Sequence, residues 1–136
     1  MGKVAITPAD SAFSKCVRER DGWECQRCGG QYELGTMALH CSHWHGRGSW
    51  SLRFHGDNAD AMCYGCHMHL TANPMLHRDW QIERKGEGLL QILQELSNDT
   101  TAGRYTKKNR KEVAAYYRAE FRRMQKTGSK EFENWS

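Results

Sequence analysis

A chain of 136 residues with a formal net charge of +4 has room for one core and an appendage, which excludes multidomain enzymes and large cofactor-binding folds. Val, Ile, Leu and Phe number 19, about 14% of the chain, short of the roughly 20% that apolar burial needs to hold a domain by itself. Five Trp and six Cys point instead to local clusters, and the modest charge is not that of a disordered protein.

In chain order, Met1 to Pro8 lacks the apolar run of a signal peptide, and Ile6 stands where a myristoylation signal requires Ser or Thr. No later stretch reaches the ~18 apolar residues that span a bilayer, so no membrane partner is expected. Thr7-Pro8-Ala9-Asp10 predicts a capped helix start, and Ala12, Phe13, Cys16 and Val17 recur at helical spacing to about Arg20. Cys16 therefore reads as a packing thiol. From Trp23 to Tyr64 the chain is Gly-punctuated, aromatic and rich in His. The runs 37–44 and 50–54 predict two short strands joined by a turn at Gly46-Arg47-Gly48. Helical patterns resume through Cys66 to Leu70 and through Leu89 to Leu96, with breaks at Asn73-Pro74 and at Gly86 and Gly88.

The last third is basic: between Thr101 and Lys126, nine Lys or Arg face Glu112 and Glu120 alone. On a helix following Asn109, Lys111, Arg118, Arg122 and Lys126 fall within roughly 80°, and Val113, Tyr117, Phe121 and Met124 cover a similar arc opposite. One face can dock while the other meets phosphate, although a solvated basic helix has the same pattern. The expected organisation is an N-terminal helix (1–21), a cysteine- and histidine-rich core (22–80), a helical extension (81–100) and a basic amphipathic helix with a tail (101–136). Either the Leu89 to Leu96 or the Val113 to Met124 stripe could form a homodimer or pack within the monomer.

Cysteine supplies what the aliphatic residues lack. Cys25-Gln26-Arg27-Cys28 and Cys63-Tyr64-Gly65-Cys66 are C-x-x-C pairs, too tight for disulfides within each pair and well spaced for tetrahedral zinc. The 34 residues between them must leave the site and return, so a shared ion would close a long loop. Four thiolates leave no open coordination position, which makes this zinc structural. The pattern also points to a reducing, cytoplasmic compartment.

Five of the seven His, at positions 40, 43, 45, 67 and 69, lie within or beside this frame. His40 on one side of a strand, His43 and His45 on the other, and His67 directly after the last cysteine bring imidazoles toward one place. Such a set can take a proton from water and ligate a divalent ion. His45 could contact phosphate or ligate the ion, or be an exposed residue beside the turn; His69 reads as a packing or capping group, and His55 and His77 as surface residues. Arg47 and Arg53 are candidate phosphate contacts, with structural ion pairing as the alternative.

Leu39-His40-Cys41-Ser42-His43, Gly56-Asp57-Asn58 and Cys63-Tyr64-Gly65-Cys66-His67 resemble the His, Asn and His landmarks of HNH endonucleases, whose ββα-metal core is often braced by a four-cysteine zinc. The chain is similar above all to the phage NinG (Rap) recombination endonucleases. Arg47-Gly48, Leu52-Arg53-Phe54, Asp57-Asn58 and the run from Cys66-His67 to Leu70-Thr71-Ala72-Asn73 carry that likeness, across roughly 21–80. It implies an α+β fold with a zinc-braced ββα-metal core and flanking helices. It further implies that His43 is the general base, that His67 ligates the catalytic ion, and that Asn58 pins the loop that aims His43. The family pattern has Asp at the place of His40 and Asn at that of His67. Imidazole at both would favour Mn²⁺, Ni²⁺ or Zn²⁺ over Mg²⁺; alternatively, His40 only supports His43.

The expected function is a metal-dependent DNA endonuclease, and the likeness implies branched recombination intermediates as substrate. Nicking or degradation of host DNA would suit the same site. A zinc-stabilised DNA-binding module without catalysis is the competing class, and His43 and His67 distinguish the two. Lys111, Arg118 and Arg122 are expected to grip phosphate without reading sequence, and cleavage is expected to fall below pH about 6.5, the ordinary histidine value.

Overall fold

The computed structural model describes residues 4–136; the Met1-Gly2 start, read above as no myristoylation signal, lies outside them. The element order is α1 (Pro8–Arg20), β1 (Leu39–His43), β2 (Ala59–Cys63), α2 (Tyr64–Ala72), α3 (Pro74–Lys85), α4 (Glu87–Ser97), α5 (Thr100–Lys108) and α6 (Arg110–Thr127).

Helix α1 starts where the sequence predicts. The Thr7 hydroxyl accepts from the Asp10 N–H, the Asp10 carboxylate accepts from the Thr7 N–H, and Pro8 fills the first turn, where no amide is needed. Ala12, Phe13, Cys16 and Val17 are buried, and the Cys16 thiol donates to the Tyr117 carbonyl at 3.3 Å. Burial pushes that thiol up to about 12, so it is an inert packing group.

β1 and β2 pair antiparallel, with His40 opposite Met62 and His43 opposite Ala59. The second strand is thus not at 50–54, as the sequence suggests. That segment forms tight turns, in which the Leu52 N–H donates to Ser49 O and the His55 N–H to Leu52 O. Its alternating apolar residues, Leu52 and Phe54, are both buried without strand pairing, Phe54 in the cluster between α1 and α6. A 3₁₀ turn at Gly56–Asn58 then feeds β2.

Two clusters divide the core. Phe13, Phe54, Val113 and Tyr117 pack between α1 and α6, while Trp23, Leu39, Met62 and Leu70 pack beside the cysteines. The apolar face of α6 is therefore used within the monomer, with Val113, Tyr117 and Met124 buried and Lys111, Arg118 and Arg122 exposed. That answers the dimer alternative for the Val113 to Met124 stripe. Leu90 and Leu93 of the other stripe are also buried. Asn109 sits at the N-cap position of α6 but makes no side-chain cap there; its Nδ2 donates to Tyr105 O and closes α5. The tail beyond α6 folds back over the body. Asn134 Oδ1 accepts from the Gly56 N–H at 2.7 Å, the Trp135 N–H donates to the Tyr117 hydroxyl at 3.0 Å, and Phe132 packs edge-on against Phe13 and Tyr117.

Candidate metal centre and histidine cleft

The four cysteines come from two chain segments that meet only in three dimensions. Cys25 and Cys28 sit in a knuckle after α1 in which the Cys25 N–H donates to Gly30 O, and Glu24 bridges to Gln31. Cys63 ends β2 and caps α2, its Sγ accepting from the Cys66 N–H at 3.4 Å; Cys25 Sγ accepts likewise from the Cys28 N–H at 3.5 Å. The four Sγ atoms lie within 4.8 Å of one another, and Cys28 Sγ is 3.9 Å from Cys63 Sγ. Thiolates on a tetrahedral zinc at about 2.3 Å would be about 3.8 Å apart, so the set is positioned to bind a metal ion and is consistent with structural zinc. Burial works to raise the Cys25 thiol, but surrounding N–H groups outweigh it and hold the thiol down at about 7, favouring the thiolate a metal requires.

This cysteine frame sets the start of α2 against β1, and with it His67 against His40. Their Nδ1 atoms are 3.1 Å apart with the rings nearly perpendicular. Two nitrogens bound to one ion at about 2.1 Å each would be separated by about 3.0 to 3.4 Å. The spacing of the pair is one that two imidazoles on a single divalent ion could adopt. Burial, reinforced by the neighbouring His40, lowers the pKa of His67 and so favours the neutral form that binds metal.

His43 lines the same cleft as His40 and His67, a space of about 660 Å³ between α1 and α2. Among the described residues β1 has a neighbouring strand on one edge only, and rings from both of its faces, His40 and His43, line the cleft. His43 Nε2 is 3.1 Å from the Arg53 carbonyl, which can only accept, so Nε2 carries the proton and Nδ1 the lone pair. Burial pushes His43 down to about 4, with the Arg53 carbonyl and Asp10 opposing. It is a neutral imidazole at pH 7, and the ordinary value of 6.5 expected from sequence is corrected accordingly.

Asn58 is fully buried and ties the segment after His43 to β2. Its Oδ1 accepts from the His45 N–H at 2.8 Å, its Nδ2 donates to His45 O and Leu52 O, and its own carbonyl accepts from the Trp44 N–H. Arg47 lines the cleft. Arg53 does not: it is 1% exposed, with Nε and Nη2 paired to Asp10 at 2.9 and 2.6 Å, Nη2 also reaching Ala5 O and Nη1 reaching Arg47 O. The phosphate role is withdrawn for Arg53, because every arm of the fork is used inside the protein. Arg53→Met is expected to lower stability by about 3 to 5 kcal/mol, since it strands the Asp10 carboxylate in a dry site. A thermal or urea melt checks this, and an unchanged midpoint would refute it.

Of the other histidines, His45 stays beside the turn, while His77 and His69 depart from expectation. His77 is buried, its ring 4.7 Å from Trp44 and its Nε2 3.2 Å from Gln81 Nε2; Gln81 also donates to buried Asp60. His69 is exposed and neither packs nor caps. His55 is half-buried and caps the 3₁₀ turn, its Nδ1 accepting from the Asp57 N–H. His45 is half-buried, with Nε2 enclosed and unpartnered among the described residues. Sequence reasoning missed Ser11, Ser14, Lys15 and Arg18 of α1, which form one wall of the cleft. Their i, i+3, i+4, i+7 spacing was a visible signal, since it marks one helix face.

Fold and site together define a small α+β protein in which a two-stranded sheet and a four-cysteine cluster positioned to bind a metal support a histidine-lined cleft. The chain belongs to the family described as bacteriophage lambda NinG protein, whose model matches residues 4–127. No curated protein and no solved structure matches it. Among the described residues, no helix is long and apolar enough to cross a membrane.

Proposed function

We propose that the chain is a metal-dependent DNA endonuclease of the HNH type, working in phage recombination on branched DNA. One observation carries the reading: His40 and His67 present ring nitrogens 3.1 Å apart in the cleft that His43 also lines. A DNA-binding module has no use for such a set. The order β1, β2, α2, with a histidine at the end of the first strand and another in the first turn of the helix, supports a ββα-metal core.

In this reading His43 Nδ1 accepts the proton of the attacking water, while Nε2–H stays on the Arg53 carbonyl and keeps the ring from turning. Asn58 acts through the backbone of residues 44 and 45, holding the chain where His43 leaves the strand. His40 and His67 hold the divalent ion, and their nitrogen character favours Mn²⁺, Ni²⁺ or Zn²⁺ over Mg²⁺. Such an ion supplies positive charge beside the scissile phosphate and the leaving oxygen. Arg47 contributes a fixed charge at the cleft wall.

The test incubates zinc-loaded protein with supercoiled plasmid and each of these ions, with and without EDTA, beside His67→Ala. Nicking by the wild type and its loss in the variant, with zinc content and DNA retention preserved, are expected. Retained DNA binding with no nicking under any ion would leave only a DNA-binding module. Side-by-side cleavage of linear duplex, single strand, flap and four-way junction tests the branched-DNA preference.

The pH behaviour follows from burial. A histidine lowered to about 4 in the folded state and near 6.5 unfolded takes up its proton on unfolding, so acid favours the unfolded chain between those values. The melting temperature is expected to be level above pH 6.5 and to fall from there toward pH 4, less steeply in His43→Ala. With saturating ion, His43 is expected to remain a competent base below pH 6.5. An acid limb at 6.5 that added ion does not relieve would count against its role.

A further inference from the structure

We infer that the groove between α1 and α6 continues the histidine cleft and seats the phosphate backbone flanking the reacting phosphate, with Lys15 as the bridge between the two. The inference rests on the nuclease reading above and adds where the DNA runs. Ser11 and Lys15 line both the cleft and the adjoining groove, a space of about 480 Å³ whose far wall is Arg118, Phe121 and Arg122 of α6. The two spaces adjoin along α1, with Ser11 and Lys15 as their shared wall.

Its charge is of one sign. Among the described residues no carboxylate lines the groove, and none of Lys15, Arg118 and Arg122 is in an ion pair. Asp10, the carboxylate lining the cleft, is neutralised by Arg53. The next cation on α6 shows the contrast: Arg123 points elsewhere and is bound by Glu120 and the Glu131 carbonyl. Lys15, Arg118 and Arg122 thus carry their charge on the surface that leads to the histidines with no carboxylate set against them.

The geometry is held firmly. Phe13, Cys16 and Val17 of α1 pack with Val113, Ala114 and Tyr117 of α6, so the two walls keep a constant distance. Arg118 and Arg122 stand one turn apart, about 6 Å along the helix. Lys15 Nζ lies 5.9 Å from the centre of the Phe121 ring, which holds the ammonium at the junction of cleft and groove. A polyanion with regularly repeated charge suits such a track, and continuity with a phosphodiester-cleaving cleft favours nucleic acid over an acidic protein.

The experiment measures binding of a fluorescent DNA duplex to the full, zinc-loaded chain across a salt series, without added catalytic ion. Lys15→Ala, Arg118→Ala and Arg122→Ala are each expected to reduce the slope of log K against log salt by about 0.9, one phosphate apiece. Lys15→Ala/Arg122→Ala is expected to bind at least about tenfold more weakly near 0.15 M salt, whereas Lys15→Arg and Arg78→Ala, a control on α3, retain the wild-type slope. Unchanged slopes in the groove variants of a protein that binds and nicks plasmid would overturn the track and leave the nuclease reading standing. Reduced slopes in a protein that never nicks would support the track and remove the nuclease reading. Binding of an acidic peptide, with no DNA binding by the wild type, would overturn nucleic acid as the occupant.

Discussion

His43→Ala is expected to slow DNA cleavage by about 10²- to 10⁴-fold, the range that a positioned general base contributes, with zinc content and DNA affinity unchanged. The size of the effect follows from how the ring is prepared. The Arg53 carbonyl fixes the tautomer, burial keeps the imidazole neutral, and Asn58 secures the chain just beyond it. Alanine removes the Nδ1 lone pair while the neighbouring hydrogen bonds of Asn58 to His45 and Leu52 remain. Plasmid nicking at saturating ion reads the loss, and parallel metal analysis and DNA retention show that the fold has survived. Equal nicking by both proteins would remove His43 from the chemistry.

Cys63→Ser, or removal of the ion by a strong chelator, is expected to abolish cooperative folding of the core. Structural zinc binding contributes about 10 to 16 kcal/mol in small domains, comparable with or larger than the ~5 to 15 kcal/mol total stability of a native domain. Cys63 is a demanding position because it ends β2, caps α2 and offers a ligand to the knuckle after α1. Its loss separates the segments that bring His67 to His40. Near-UV circular dichroism and a thermal melt report the collapse. Cys16→Ala serves as the comparison: that thiol packs between α1 and α6, so the variant keeps its metal and melts as a folded protein. A Cys63→Ser protein with full metal content and an unchanged melt would disprove the structural role.

The tail illustrates a different kind of dependence. Residues 128–136 lie beyond the stretch matched by the family model, yet Asn134 holds Gly56, two residues before Asn58, and Phe132 covers Phe13. These two contacts are long-range, and the tail's sequence has no periodic pattern that would announce them.

What the sequence determined by itself was whatever local chemistry writes in neighbouring residues. The Thr7-Pro8-Asp10 cap, the two C-x-x-C knuckles and the 3.6-residue stripe of α6 each depend on groups a few positions apart, and each stands in the structure where the pattern indicates. The tertiary structure alone decided which strand pairs with β1, because buried Leu52 and Phe54 satisfy a turn as well as a strand and only tertiary packing chooses between them. It likewise decided that Arg53 is an internal partner of Asp10 and that His77 is buried against Trp44, since charge and polarity do not reveal whether a partner waits 43 residues away. The meeting of His40 with His67 has the same origin: the cysteine frame brings together side chains 27 residues apart, and a distance of 3.1 Å between them is a property of the closed loop, not of either segment.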